Sequence, residues 1–380
     1  MIYLDNCATT KPRDEVIDAM VECLRNDFAN PSSLHSFGHR VEKKIDDARS
    51  VIAKALNVLE KEIYFTSGGT ESTNIALNGL IEKNKKYRKI ITTKIEHSSV
   101  LDKLRSYRDK GYEIVEVSVD NKGMIDTDEL YKNVDNNTSL ISLFHVNNEI
   151  GSINNISDII KKIREINKNV YVHVDGVQAF GKIKVDLKDL DCDTYSISSH
   201  KIYGPKGIGL LYIRDGVKIN PLVLGGGQER NIRSGTENVP GIIGFGVAAK
   251  LMIENFEKEN NLAKSLKEYL IENLKKFDDV VINTPNHSSN YITSVSFKDV
   301  RAEVLLHYLE QDEIYISTAS ACTSNGTKKS HVLEAMGLDS NYSSGTIRIC
   351  TSKDITKDDI DEFISKLSKY IKEIRDIMRK

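Results

Sequence analysis

Short apolar, β-branched segments alternate with segments of helical periodicity through the first half of the chain. The clearest helical segment is 39–57, in which apolar residues recur on one stripe: Val41, Ile45, Ala48, Ile52 and Ala55. Strands are expected at 62–66, 89–93, 113–117, 140–146, 170–174 and 194–198. Because strands that alternate with helices build parallel sheets covered by helices, this pattern predicts an α/β layer on a largely parallel sheet.

The pattern changes after residue 239. Helices are expected at 239–257 and 262–277, then strands near Val280, at 292–297 and at 314–316, and a closing amphipathic helix at 357–378. This order is typical of a smaller α+β domain. We therefore expect a large domain at 14–256, and a small domain formed by 1–13 together with 257–380.

Polar residues follow several of the predicted strands. His97, Asn148 and Asp175 come just after strands, and so does the turn Gly68-Gly69-Thr70, which opens a helix expected from about Ser72. Ligands of parallel sheets bind beyond the carboxyl ends of the strands. The free N–H groups of a helix N-terminus favour a phosphate there.

Lys201 lies on a glycine-rich loop between two predicted strands, 194–198 and 208–213. A lysine held by rigid elements, with its pKa lowered by its surroundings, is a nucleophile toward carbonyl groups. An isolated lysine on such a loop is more often a solvated cation. The loop lacks the spacing of a nucleotide-binding phosphate loop.

Composition narrows the classes of function. The 380 residues carry a net charge of −2 with both signs interspersed, which argues against nucleic acid or an anionic membrane as partner. Residues 1–10 lack the features of a signal peptide, and no segment is expected to span a membrane. The five cysteines are scattered without a C-x-x-C pair, which argues against a disulfide framework and a structural zinc site. We expect a cytoplasmic protein without a metal.

Pyridoxal phosphate requires four kinds of group in its binding site: a lysine, an aspartate, a histidine and a phosphate-binding turn. The lysine holds the aldehyde as a Schiff base, and the acid pairs with the pyridine nitrogen. An aromatic group covers the ring face, and the glycine-rich turn holds the phosphate.

Several longer motifs make the match to a known family specific. They resemble those of cysteine desulfurases of the NifS/IscS type, which are fold-type-I pyridoxal phosphate enzymes of the class V aminotransferase superfamily. The resemblance runs from Tyr3-Leu-Asp-Asn6 to Arg348. The motifs are Thr66-Ser-Gly-Gly-Thr-Glu71, His145-Val-Asn-Asn-Glu-Ile-Gly151, Val174-Asp-Gly-Val-Gln178, Ser198-Ser-His-Lys-Ile-Tyr-Gly-Pro-Lys-Gly-Ile-Gly209, Gly225-Gly-Gly-Gln-Glu-Arg230 and Arg233-Ser-Gly-Thr236.

The resemblance implies a role for each matching cofactor residue. Lys201 would hold the aldehyde and Asp175 the pyridinium nitrogen. Gln178 would contact the ring hydroxyl, while His97 would stack on the ring and assist proton transfer. Thr236 would reach the phosphate from the second subunit of a homodimer. The residues that would hold the phosphate are Gly69, Thr70, Ser198, His200 and Thr236.

The resemblance also implies the substrate and the reaction. Asn148 and Arg348 would bind the carboxylate of L-cysteine, a task that suits the planar fork of arginine. Cys322 would take the sulfur as a persulfide, release L-alanine, and pass the sulfur to an acceptor such as an iron–sulfur scaffold or a tRNA-thiolation enzyme. The small polar flanks Ser320-Ala-Cys-Thr-Ser324 favour an exposed loop over a buried thiol. Cys7 departs from the family, which more usually has Asn or Ala there.

Other interpretations stay open from the residues alone. Taken singly, His97 is better explained as a helix-cap neighbour, Asp175 as a turn residue and Arg348 as a solvated strand residue. Related functions are selenocysteine lyase, cysteine sulfinate desulfinase and class V aminotransferase, and the last has no need of Cys322. A non-catalytic binding protein of the same fold would be expected to lack Lys201, Asp175 or His97.

Overall fold

A computed structural model describes residues 1–318 and 330–378. Its helices are α1 (Asp14–Asn26), α2 (Ser36–Leu56), α3 (Gly69–Lys83), α4 (Ser98–Arg105), α5 (Thr127–Asn133), α6 (Ile156–Ile166), α7 (Leu187–Leu190), α8 (Val239–Leu274), α9 (Ala302–Glu310), α10 (His331–Ala335), α11 (Ser340–Ser343) and α12 (Lys357–Met378). Its strands are β1 (Ile2–Tyr3), β2 (Ile63–Thr66), β3 (Lys89–Thr93), β4 (Glu113–Val117), β5 (Thr138–Phe144), β6 (Tyr171–Asp175), β7 (Thr194–Ser198), β8 (Gly209–Ile213), β9 (Val280–Ile282), β10 (Ile292–Phe297), β11 (Ile314–Tyr315), β12 (Ser317–Thr318) and β13 (Thr346–Cys350).

The central sheet has the strand order β2-β8-β7-β6-β5-β3-β4. Strands β4, β3, β5, β6 and β7 run parallel to one another, whereas β8 pairs antiparallel with both β7 and β2. The connection between β7 and β8 is too short for a crossover helix, so the chain turns back beside β7. The expected α/β layer on a largely parallel sheet is confirmed.

Most residues of the strands are buried because helices cover both faces of this sheet. Every residue of β5 is buried. On one face α1, α2, α6 and the first half of α8 share a hydrophobic core, and on the other α3 and α4 form a second core. Four of the five predicted stripe residues of α2 are buried and Ala55 is half-buried.

The C-terminal part forms a separate core around an antiparallel sheet of order β12-β13-β10-β9. The second half of α8, with α9 and α12, packs on it. The N-terminal residues join this core: β1 pairs in parallel with β11, and Ile2 and Leu4 are buried there.

Helix α8 corrects one expectation. We expected helices at 239–257 and 262–277, but one helix runs unbroken from Val239 to Leu274. The polar stretch 257–261 contains neither glycine nor proline, so nothing in it terminates a helix. By length and composition α8 could cross a membrane, yet it packs on α1 and α2 with half of its most apolar stretch buried in the protein.

Candidate active site

A cavity of about 420 Å³ opens at the carboxyl edge of the central sheet. Most of the residues expected from sequence to form a site line it together: Gly69, Thr70, His97, Asn148, Asp175, Gln178, Ser198, His200, Lys201 and Arg348. The parallel strands explain this convergence. His97 follows β3, Asn148 follows β5, Asp175 ends β6 and Ser198 ends β7.

Lys201 closes a short 3-10 turn, Ser199–Lys201, directly after β7. Its Nζ donates hydrogen bonds to the backbone carbonyl oxygens of Cys7 and, at 2.8 Å, of Ala8. The side chain is therefore held against the N-terminal segment, unlike that of a solvated loop cation.

Asp175 is buried at the end of β6, where its Oδ1 accepts a hydrogen bond from the Val177 amide at 2.9 Å. Burial raises the pKa of this carboxyl group, whereas His97 in its protonated form, the Val177 hydrogen bond and the ammonium group of Lys201 each oppose that rise. A cationic group in the cavity would further favour the carboxylate.

His97 is the N-cap of α4, so the helix-cap interpretation is correct as local geometry. Its Nδ1 accepts the Ser99 amide at 3.1 Å, and the same ring lines the cavity. Burial lowers the pKa of His97, although the negative charge of Asp175 opposes this effect. The imidazole is consequently neutral near pH 7 with its proton on Nε2.

The N-terminus of α3 adjoins a second opening of about 420 Å³, which shares several walls with the first: Gly69, Thr70, Ser198 and His200. The helix begins at Gly69, three residues before the expected start. A Cβ on Gly69 would lie 2.6 Å from Cγ2 of Val177, so only glycine fits at this turn. Amide groups, hydroxyl groups and Lys206 surround the opening, which suits an anion.

Arg348 is 5% exposed on β13, which excludes a solvated strand residue. Its Nη2 donates to Oδ1 of Asp5 at 2.9 Å, and its Nη1 donates to the Asn148 carbonyl at 3.0 Å. Its Nε is buried without a hydrogen-bond partner among the described residues. A cavity-lining guanidinium with a donor to spare is suited to a carboxylate ligand.

Gln178 is bound to the N-terminal segment and to a buried lysine. Its Nε2 donates to the Cys7 carbonyl at 3.0 Å, and its Oε1 accepts a hydrogen bond from Nζ of Lys182. Asp5 lines the cavity, Lys182 contacts Gln178 from behind its wall, and Glu96 repels Asp175; none of the three was predicted as a site residue. The one local signal was the position of Lys182, four residues after Gln178 on what would be the same face of a helix.

Two predicted residues are not placed in the cavity. Thr236 is exposed and lies outside its walls, in a segment held to the start of α3 by an ion pair of 3.2 Å between Arg233 and Glu71. Cys322 lies outside the described residues. Ser317, before that segment, lines the cavity, and Ser330, after it, donates a 2.5 Å hydrogen bond to Glu149, which neighbours Asn148.

Comparison with known proteins gives one consistent result over nearly the whole chain. The profile of the family described as aminotransferase class-V matches residues 2–363. A protein named cysteine desulfurase IscS from Dictyoglomus turgidum is 43% identical over 380 residues, which cover 99% of this chain and 96% of that protein. One of the same name from Clostridium botulinum is 39% identical, with the same coverage.

Solved structures agree with this result. A NifS-like protein superposes with a TM-score of 0.93 at 39% identity, covering 98% of this chain and 99% of that one. A NifS-like protein from Rickettsia africae has a TM-score of 0.86 at 33% identity, with 99% of both chains covered. The expected fold class is confirmed.

Glu96 gives the site a testable electrostatic property. This side chain is fully buried, neither of its carboxyl oxygens has a hydrogen-bond partner among the described residues, and burial, followed by repulsion from Asp175, raises its pKa well above the usual range. The folded protein therefore keeps a proton that the unfolded chain releases once the pH exceeds the ordinary pKa of glutamate. The protein therefore loses stability as the pH rises from the ordinary pKa of glutamate to the raised pKa of Glu96 in the folded protein.

We predict that Glu96→Gln is more stable than the wild type at pH 8 and that this advantage shrinks toward pH 5. The difference in unfolding free energy should change by up to about 1.4 kcal/mol per pH unit. Urea unfolding at pH 5, 6, 7 and 8 measures it, and the exposed Glu268→Gln serves as the matched control. A difference that is constant with pH would show that Glu96 is ionised in the folded state.

Proposed function

This chain belongs to the aminotransferase class-V family, and we propose on that basis that it is a cysteine desulfurase that converts L-cysteine to L-alanine. The observation that carries the proposal is the convergence of Lys201, Asp175 and Arg348 in one cavity. Lys201 supplies an amine and Asp175 a buried carboxyl group. Arg348 supplies a cation whose Nε has no hydrogen-bond partner among the described residues.

Enzymes of this family depend on pyridoxal phosphate, and the residues present fit that cofactor. The cavity is within the size range of small-molecule sites. The α3 N-terminus, with Thr70, Ser198 and His200, would hold the phosphate group. Asp175 would face the ring nitrogen and His97 the ring face, with Gln178 at the ring hydroxyl. When bound, the cofactor supplies an electron sink for charge that develops at the substrate α-carbon.

We assign the proton transfers to Lys201 and His97. The Cys7 and Ala8 carbonyls orient the Lys201 amine at the cavity wall, so that it can bind a carbonyl carbon or carry the substrate α-proton. The neutral His97 ring has its Nδ1 engaged in the α4 cap, which leaves the Nε2–H as the group that can donate a proton.

We assign substrate orientation to Arg348 and Asn148. The Asp5 and Asn148 contacts hold the guanidinium in one plane, so a substrate carboxylate meets donors that are already positioned. Such an arrangement selects amino acids with a free α-carboxylate and fixes the direction in which the side-chain sulfur points.

We assign the nucleophile to Cys322. Its thiolate would attack the sulfur of the substrate, so that the carbon–sulfur bond breaks, a persulfide forms on Cys322 and alanine leaves after protonation. The described flanks support this role, because Ser317 lines the cavity and Ser330 binds Glu149 beside it. The persulfide would then pass to an acceptor protein, such as an iron–sulfur scaffold or a tRNA-thiolation enzyme, in the cytoplasm.

We predict that sodium borohydride reduction of the cofactor-loaded protein attaches a pyridoxyl group to Lys201. The reason is its position beside Asp175 and the phosphate-binding turn, whereas buried Lys182 is engaged by Gln178. Peptide mapping by mass spectrometry identifies the labelled lysine. A label on Lys182 or Lys206 would overturn the assignment of Lys201.

We predict that Cys322→Ser retains the yellow colour of the bound cofactor and loses alanine and sulfide production from L-cysteine. Serine is nearly isosteric, but its hydroxyl group stays protonated near neutral pH and attacks sulfur poorly. The loss should be at least about a hundredfold, whereas Cys23→Ser, elsewhere in the fold, serves as the control that keeps turnover.

Turnover of L-cysteine by Cys322→Ser at the wild-type rate would exclude this thiol as the nucleophile. The same variant separates the related functions. A selenocysteine lyase or a sulfinate desulfinase would keep activity on its own substrate without Cys322. An aminotransferase would give a keto acid in place of alanine.

We predict a homodimer in which Thr236 of one subunit completes the phosphate site of the other. Thr236 is exposed and outside the cavity of its own chain, yet its segment is anchored beside α3. Light scattering should give about twice the mass of 42.7 kDa. Thr236→Ala should weaken cofactor binding without changing that mass. Wild-type activity from a stable monomer would contradict the prediction.

A further inference from the structure

Two cysteines with no role in the proposed chemistry meet at the wall of the cavity: Cys7 lines it, and Cys350 lies behind. Cys7 and Cys350 are 1% and 0% exposed and pack in one small cluster. The backbone brings them together: the Cys350 amide donates to the Leu4 carbonyl at 2.6 Å, and Asp5 pairs with Cys350 in a parallel bridge. Both side chains are buried in that cluster, and each thiol acts on the pKa of the other.

Three cations surround this pair. Nζ of Lys182 lies 3.7 Å from Sγ of Cys7, Nζ of Lys201 binds the Cys7 carbonyl, and Arg348 is two residues before Cys350 on β13. Asp5, which pairs with Arg348, is a nearby anion that acts on the Cys350 thiol.

The surroundings shift the pKa values of the two thiols in opposite directions. Burial opposes ionisation of Cys7, but the Cys350 thiol and the ammonium group of Lys182 outweigh it and lower the pKa of Cys7. Burial, and then the Cys7 contact, raise the pKa of Cys350 well above its usual range. Cys7 is consequently the thiolate, and Cys350 keeps its proton as the second thiol of the pair.

Cys7 borders space that a small molecule can enter, with 1% of its surface exposed. It lines the 420 Å³ cavity, and it lines a second, narrow cavity of about 20 Å³ that lies between Lys182 and Tyr203. The second cavity is large enough for a water-sized reagent. It adjoins the first cavity at Cys7 and Lys201.

We propose that Cys7 and Cys350 form an oxidisable dithiol that hydrogen peroxide converts to a disulfide within the active-site wall. The Cys7 thiolate attacks one peroxide oxygen, the O–O bond breaks, and Cys7 becomes a sulfenic acid while water leaves with one proton from solvent. The Cys350 sulfur then attacks the Cys7 sulfur, loses its proton, and displaces a second water. The two thiols lose two electrons in total, and the peroxide gains them.

The disulfide would act on the site in two ways. It removes the negative charge beside Lys182, and it fixes the segment that supplies both carbonyl acceptors of Lys201 to the strand that carries Arg348. Oxidation therefore changes the positions of the proposed cofactor lysine and carboxylate-binding arginine together, and a reducing agent restores both.

The test uses full-length, cofactor-loaded protein in the Cys322→Ser background, so that the thiol of Cys322 does not react. The protein is treated with hydrogen peroxide, its remaining thiols are alkylated, and its peptides are mapped by mass spectrometry. We expect a peptide pair joined through Cys7 and Cys350, two alkylatable thiols fewer per chain, and recovery of both with dithiothreitol. Sulfinic acid on Cys7 without the cross-link would overturn the proposal, as would two unreacted thiols.

Single variants distinguish the role of Cys7, which reacts with peroxide, from that of Cys350, which closes the disulfide. Cys350→Ser should stop the reaction at a sulfenic or sulfinic acid on Cys7, whereas Cys7→Ser should slow peroxide oxidation of Cys350 by at least about tenfold. The matched controls Cys23→Ser and Cys192→Ser remove buried thiols elsewhere and should leave the cross-link intact. Equal oxidation of Cys350 with and without Cys7 would show that the two thiols do not act as a pair. None of these readouts depends on desulfurase activity.

Discussion

The direction of the parallel strands in the central sheet determines where the site lies, because parallel strands end at the same edge of the sheet. Helices cover both faces of the sheet, so β3, β5, β6 and β7 are buried along nearly their whole length, and a ligand can reach the sheet at the carboxyl ends of these strands. His97, Asn148, Asp175 and Ser198 are each the residue at or just after such an end. Their convergence is a consequence of strand direction and not of local sequence.

The N-terminal and C-terminal segments complete this edge. Residues near the start of the chain accept the Lys201 hydrogen bonds, and β13 carries Arg348 into the same cavity. A buried guanidinium is costly unless it is paired, and Asp5 and the Asn148 carbonyl bind its two Nη groups from two distant parts of the chain. The C-terminal core therefore contributes to the site as well as to stability.

Burial and fixed cations give the cavity its chemical character. Desolvation lowers the pKa of His97 and brings that of His200 to about 4, so both rings are neutral near pH 7. Lys201 and Arg348 supply positive charge, and Lys182 adds more behind Gln178. A cavity of this kind favours anions, which accounts for the suitability of phosphate and carboxylate ligands and for the thiolate character of Cys7.

By itself, the sequence determined the α/β alternation, the strand ends and the chemistry-bearing motifs, since periodicity and short motifs are local properties. Only the tertiary structure decided which residues pair across long separations: Arg348 with Asp5, Cys7 with Cys350, and Lys201 with the Cys7 carbonyl. It also decided that α8 continues through its polar stretch, because packing at both ends outweighs a local pattern. Such contacts join residues nearly two hundred or more positions apart, and no periodicity within a segment encodes them.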